Sequence, residues 1–119
     1  MSLVTIGMNH KTASLDIREK ISVDKDESHI ILKKLQDLPL VDEAFILSTC
    51  NRTEIYGSVS NPNVLSKLLC EFTSGNEKIL KNLGYFFKNK QAYNHLFKVG
   101  AGLDSQILGD FEIIGQIKK

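Results

Sequence analysis

The order of strand-like and helix-like segments, β-α-β-β-α-β, predicts an α+β fold. In that fold a four-stranded antiparallel sheet carries two helices on one face, the ferredoxin-like sandwich, here with additional C-terminal helices. Three observations predict it. Four short apolar or alternating runs read as strands, two amphipathic stretches with cap signals separate them, and the last third keeps a helical period.

Leu3 to Met8 is an apolar run ended by Gly7 and Asn9, a first strand that feeds the polar loop Asn9-His10-Lys11-Thr12. Asp24 and Glu27 form a capping pair, and Ile31, Leu32, Leu35 and Leu38 follow at helical spacing until Pro39. Ala44 to Leu47 reads as a buried strand. Thr53 to Val59 alternates, with Ile55 and Val59 on one face and Tyr56 and Ser58 on the other. Asn61-Pro62 supplies an N-cap and a first-turn proline for a helix carrying Val64, Leu65, Leu68, Leu69 and Phe72, closed by Gly75. A short segment with Ile79, Leu80 and Leu83 passes through Gly84 to the aromatic strand Tyr85-Phe86-Phe87. Gln91 to Leu103 places Ala92, Leu96, Val99 and Leu103 on one helical face, and Ile113, Ile114 and Ile117 predict a further helix. The sandwich core is expected over about 1–88 and the helical extension over about 89–119, all in one N-terminal domain, 1–119. Because that last helical pattern is still running at Lys119, the natural protein is expected to continue.

At 119 residues the chain can bury one core. Fifteen Lys and Arg against fourteen Asp and Glu give a net charge of +1, so no overall field draws it onto nucleic acid or an anionic membrane, and any RNA contact must be local. Neither a long apolar span nor an export signal is visible, which places the protein in the cytoplasm. Cys50 and Cys70 lack metal-ligand spacing and a disulfide framework.

Cys50 sits between two strands, beside Asn51 and two residues before Arg52. A thiol attacks only as thiolate, and cations and turn N–H groups lower its pKa. Two roles compete for it: nucleophile, or small buried hydrophobe. Cys70, beside core-spaced Leu69, reads as structural. His95 is either an acid or base for the cysteine or a packing histidine bonded to a carbonyl. His29 reads as a surface residue. Arg52 can grip a carboxylate with its planar fork or pair with Glu54 on the surface. Arg18-Glu19-Lys20 read as solvated charges unless the fold brings them to a pocket. Gly100-Ala101-Gly102-Leu103-Asp104-Ser105 fails as a dinucleotide fingerprint: it follows a helical pattern and has Ser105 in place of the third glycine.

Three separated blocks together resemble the N-terminal catalytic domain of the glutamyl-tRNA reductase family. They are Gly7 to Ala13 with Arg18-Glu19, then Leu47 to Tyr56 with its Ser-Thr-Cys-Asn-Arg-Thr-Glu core, then His95-Leu96-Phe97 through Gly102 to Ser105, Gly109 and Gly115-Gln116. The resemblance implies an NADPH-dependent oxidoreductase that converts glutamyl-tRNA to glutamate-1-semialdehyde, the first step of five-carbon-route tetrapyrrole (porphyrin) biosynthesis. It implies that Cys50 attacks the aminoacyl ester to give a thioester, and that His95 assists proton transfer. By the same carry-over Thr49, Cys50, Asn51, Arg52, Ser105, Asp110, Phe111, Glu112 and Gln116 line the glutamate pocket.

It further implies an NADPH-binding domain and a dimerisation domain beyond this chain, a homodimeric full-length protein and an aminomutase partner for the semialdehyde. Cofactor binding by this piece is not expected, nor is reduction by it alone, and its specific tRNA binding should be weak. Ser14, Asp110 and Glu112 depart from the usual proline, glutamate and glutamine. The rival readings are a noncatalytic ferredoxin-like binding module and a cysteine-dependent aminoacyl-ester hydrolase.

Overall fold

A computed structural model describes residues 2–39, 41–49, 51–71, 73, 76–103 and 116–117. The elements run β1 (Ser2–Asn9), α1 (Leu15–Ile21), α2 (Lys25–Gln36), β2 (Val41–Ser48), β3 (Arg52–Val59), α3 (Asn63–Glu71), α4 (Glu77–Leu83), β4 (Tyr85–Lys88), α5 (Lys90–Leu103) and β5 (Gln116–Ile117). The sheet order is β4-β1-β3-β2-β5 with every neighbouring pair antiparallel. Its first four strands are the ferredoxin-like order expected from the sequence.

One face of the sheet builds the main core. Val4, Ile6 and Met8 of β1, Ala44 and Ile46 of β2, and Ile55 and Val59 of β3 meet Ile21, Ile31, Leu35, Leu65, Leu69 and Leu80 from α1 to α4. The caps that start these helices follow the sequence signals. Asp24 Oδ1 accepts from Glu27 N–H at 2.7 Å while Glu27 Oε1 accepts from Asp24 N–H at 3.0 Å, closing the capping box of α2. Asn61 Oδ1 accepts from Asn63 N–H at 3.1 Å ahead of α3. Cys70 lies half-buried against this core, where burial and then the charge of Glu77 push its thiol pKa up.

The opposite face is covered by α5. Asn89 makes this possible: with φ of 56° it turns the chain directly from β4 into α5, its N–H held by the Leu3 carbonyl at 2.8 Å. Asparagine is among the few residues that tolerate this left-handed conformation. Ala92 and Val99 are buried as their spacing predicts, and Val99 meets Leu47, while Leu96 is half-buried.

Two differences from the sequence reading bear on the site. α1 is a helix where only solvated charges were expected; its seven residues give too few turns for a periodic signal. Gln116–Ile117 is a short strand on the outer edge of β2, not part of a helix. An edge strand presents unpaired backbone N–H and C=O groups, and a β-branched segment can satisfy them by pairing. Ile113 and Ile114 lie outside the described residues, as do Phe72 and Gly75.

Candidate active site

Residues from all three sequence blocks, Gly7 to Asn9, Thr49 with Asn51 to Glu54, and His95, meet at one end of the sheet. Antiparallel register puts Asn9 opposite Arg52, Met8 opposite Thr53 and Gly7 opposite Glu54, while β4 sets Tyr85 on the other side of Gly7. The loop after β1 is tied down by its own side chains. Asn9 Oδ1 accepts from Lys11 N–H at 2.9 Å, and the Asn9 carbonyl accepts from Thr12 N–H at 3.0 Å and Ala13 N–H at 3.1 Å. The hairpin between β2 and β3 closes with Thr49 N–H donating to the Arg52 carbonyl at 2.7 Å and Asn51 N–H donating to Thr49 Oγ1 at 3.1 Å. Below it, Ser48 Oγ bonds Thr53 Oγ1 at 3.1 Å. Cys50, at the tip of this hairpin in sequence, lies outside the described residues.

At the centre of this end is a fully buried carboxylate, Glu54. Its Oε1 accepts from the Tyr56 hydroxyl at 2.9 Å, and its Oε2 accepts from the Tyr85 hydroxyl and from His95 Nε2. Arg52 Nη1 stands 3.7 Å from the same Oε2. Burial alone would raise the Glu54 pKa. The hydrogen bonds from His95 and Tyr85 and the charges of His95 and Arg52 outweigh it and hold the group below its ordinary 4.5. Both phenols are pushed well above the usual tyrosine range, first by burial and then by the Glu54 charge, so they remain donors.

The reach of Glu54 depends on Gly7. A Cβ at Gly7 would stand 2.7 Å from the Thr53 carbonyl oxygen and 2.8 Å from Glu54 Cγ. Only a residue without a side chain lets the Glu54 stem cross β1 to Tyr85.

His95 projects from α5 between the rings of Tyr85 and Phe87, at centroid distances of 5.0 and 4.8 Å. An ionised Glu54 can only accept, so Nε2 carries a proton in either charge state of the ring. In the neutral imidazole the lone pair is therefore on Nδ1. A base whose orientation is fixed by a buried carboxylate is the arrangement that activates serine and cysteine nucleophiles. The surface ion pair considered for Arg52 is instead a partly buried neighbour at 18% side-chain exposure. At 3.7 Å it is outside hydrogen-bond range of that Oε2, which already accepts from Tyr85 and His95. The guanidinium fork thus keeps donors for a ligand.

On the helix-bearing side of the same hairpin is a cavity of about 410 Å³ lined by Arg18, Glu19 and Ser22 from the α1 region and by Ser48 and Thr49. Arg18 is half-buried and its Nη1 donates to the Ala13 carbonyl at 2.8 Å. The fold therefore does bring Arg18-Glu19 beside a pocket. Thr49 opens onto this cavity, whereas Arg52 lies with His95 on the other face.

Comparison with known proteins matches this arrangement to one family. A profile of the family described as "Glutamyl-tRNAGlu reductase, N-terminal domain" covers residues 6–119. The chain belongs to that family. The glutamyl-tRNA reductase of Christiangramia forsetii is 48% identical over 114 residues, which are 96% of this chain and 27% of that protein. That of Flavobacterium psychrophilum is 49% identical over 113 residues, 95% of this chain and 27% of that protein. The solved glutamyl-tRNA reductase from Methanopyrus kandleri superposes with a TM-score of 0.61 at 26% identity, over 87% of this chain and 23% of that one. This chain thus spans about a quarter of the length of the relatives it matches.

The structure places Thr49, Asn51, Arg52 and His95 around the hairpin end. Gln116 pairs with Ala44 in β5. Ser105, Asp110, Phe111 and Glu112 lie outside the described residues. Gly100 falls inside α5 and not at a strand-to-helix turn of the kind that binds a dinucleotide. The sequence reading missed Glu54, Tyr85 and Gly7 as one unit. The signal available was a carboxylate at an interior position of a strand, which must be paired if that strand is central.

Proposed function

We propose that this chain is the catalytic domain of an NADPH-dependent glutamyl-tRNA reductase. In this reading the Cys50 thiolate attacks the ester carbonyl of glutamyl-tRNA. The C–S bond forms, the C–O bond to the tRNA 3′ end breaks, and the leaving alkoxide takes a proton. Hydride from NADPH, held elsewhere in the longer protein, would add to the carbonyl carbon of the glutamyl thioester that remains, and breaking of the C–S bond would release glutamate-1-semialdehyde and return the Cys50 thiolate. His95 exchanges protons at the reacting end of the hairpin, and Glu54 holds its ring. Arg52 receives the side-chain carboxylate of the glutamyl group in a bidentate grip. By the resemblance Thr49, Asn51, Ser105, Asp110, Phe111, Glu112 and Gln116 belong to the glutamate pocket, although Thr49 opens onto the helix-side cavity and Gln116 pairs with Ala44. A homodimeric, cytoplasmic full-length protein that passes its semialdehyde to an aminomutase belongs to the same reading.

The observation that carries this reading is the junction of the Cys50 hairpin with His95 through one buried carboxylate, in a chain that belongs to the family. Incubation of the chain with glutamyl-tRNA tests it. Deacylation faster than with Cys50→Ser, without NADPH oxidation, is expected. Rates equal in the two proteins refute it.

A further inference from the structure

The lysines of this chain are not spread evenly. Residues 78–103 hold Lys78, Lys81, Lys88, Lys90 and Lys98 and no Asp or Glu, so the rest of a chain with net charge +1 is net acidic. All five are exposed, and among the described residues none sits in an ion pair. The two on α5, Lys90 and Lys98, accompany its most exposed aromatic residues, Tyr93 at 53% and Phe97 at 73%. Tyr93 and Phe97 are one turn apart and so share a face. Gly100 extends that flank: a Cβ there would meet nothing within 4 Å. A mid-helix glycine is unfavourable relative to alanine. No contact inside the described structure uses its small size.

Exposed rings interleaved with unpaired lysines are what a single-stranded polynucleotide binds: bases stack on the rings and phosphates meet the ammonium groups. We propose that the outer flank of α5, formed by Tyr93, Phe97, Lys90 and Lys98, docks the single-stranded 3′ end of the tRNA substrate. This rests on the glutamyl-tRNA reading above and extends it. The geometry fits, since Tyr93 and Phe97 lie about 3 Å along the helix axis on either side of inward-facing His95, across a helix about 10 Å wide. A strand whose terminal ester reaches the hairpin has its next few nucleotides over this flank.

The test uses the 119-residue chain with a fluorescein-labelled eight-nucleotide RNA ending in CCA, followed by anisotropy at two salt concentrations. Tyr93→Ala/Phe97→Ala should weaken binding at least about fivefold for each stacked base. Lys90→Gln/Lys98→Gln should flatten the log–log salt dependence by about 1.4. Circular dichroism melting should be unchanged. Cys50-dependent hydrolysis of a small glutamate thioester without RNA should also be unchanged, which separates this site from the chemistry. Variants that bind as wild type overturn the proposal, as does binding that follows the lysines alone. A change of sedimentation with no change in RNA binding overturns it too and makes the flank a contact between copies. Normal RNA binding beside absent Cys50 chemistry would leave the flank standing and remove the enzymatic reading.

Discussion

Replacing Glu54 should unsettle this domain more than any other polar change at the hairpin end. The carboxylate accepts from Tyr56, Tyr85 and His95 and neighbours Arg52, all with no exposure of its own. Glu54→Ala strands these partners, and breaking a buried pair from one side costs about 3–5 kcal/mol. With a urea m-value of about 1.5 kcal/mol/M, the midpoint at pH 7 should fall by about 2–3 M. Glu54→Gln keeps the shape and loses the charge-assisted character, for about 1.5–3 kcal/mol. The pH dependence follows from the lowered pKa. Below the ordinary 4.5 the unfolded chain takes up the proton before the folded one does, so stability rises with pH across that range. The advantage of wild type over Glu54→Gln should be complete above about pH 4.5 and fade as pH falls through the lower folded value. A difference that stays constant from acid to neutral pH, or a Glu54→Ala midpoint near that of wild type, refutes the reasoning.

Gly7→Ala should destabilise by about 1–3 kcal/mol, because the added methyl meets a backbone oxygen that cannot swing aside. By moving the Glu54 stem it should also slow Cys50-dependent deacylation, read in the glutamyl-tRNA assay. At Asn89, glycine should be neutral or slightly stabilising in urea melts, whereas Asn89→Val should lose about 1–2 kcal/mol at the left-handed φ of 56°. Alkylation with iodoacetamide near neutral pH should show two phases. Burial and Glu77 disfavour the Cys70 thiolate, so Cys70→Ser should remove the slow phase and Cys50→Ser the fast one.

The fold was legible where signals are local. Asp24 and Glu27 announce a capping box three residues apart, and the box forms. Alternation put Ile55 and Val59 on one face of β3, and both enter the core under the helices. Other features depend on non-local pairing that no window of sequence contains. The strand at Gln116–Ile117 exists because β2 has a free edge, and the helical expectation for Ile117 had no access to that edge. The placement of α5 on the second face turns on the backbone of Asn89, and helical periodicity is silent about which face a helix covers.

The site was legible in its residue types and illegible in its wiring. Cys50, Arg52 and His95 stand out chemically, but nothing in a spacing of 41 residues says that His95 bonds Glu54. The wiring also changes what Arg52 can do. In sequence, Arg-x-Glu along a strand reads as a self-satisfied ion pair, which would leave the guanidinium little use for a substrate. In the fold, Tyr85 and His95 both donate to Oε2, the Glu54 oxygen nearest Arg52, so the guanidinium feels its charge at 3.7 Å without surrendering its fork. The same carboxylate that orients the imidazole thereby offsets part of the arginine's charge and leaves its donors available. Tyr85→Phe separates the two effects. Freed from one donor, Oε2 should draw Arg52 into direct hydrogen bonding, so binding of a free glutamate ester should weaken while the exposure of His95 stays as it is. Unchanged binding in that variant would mean that the arginine fork was never in competition between the two carboxylates.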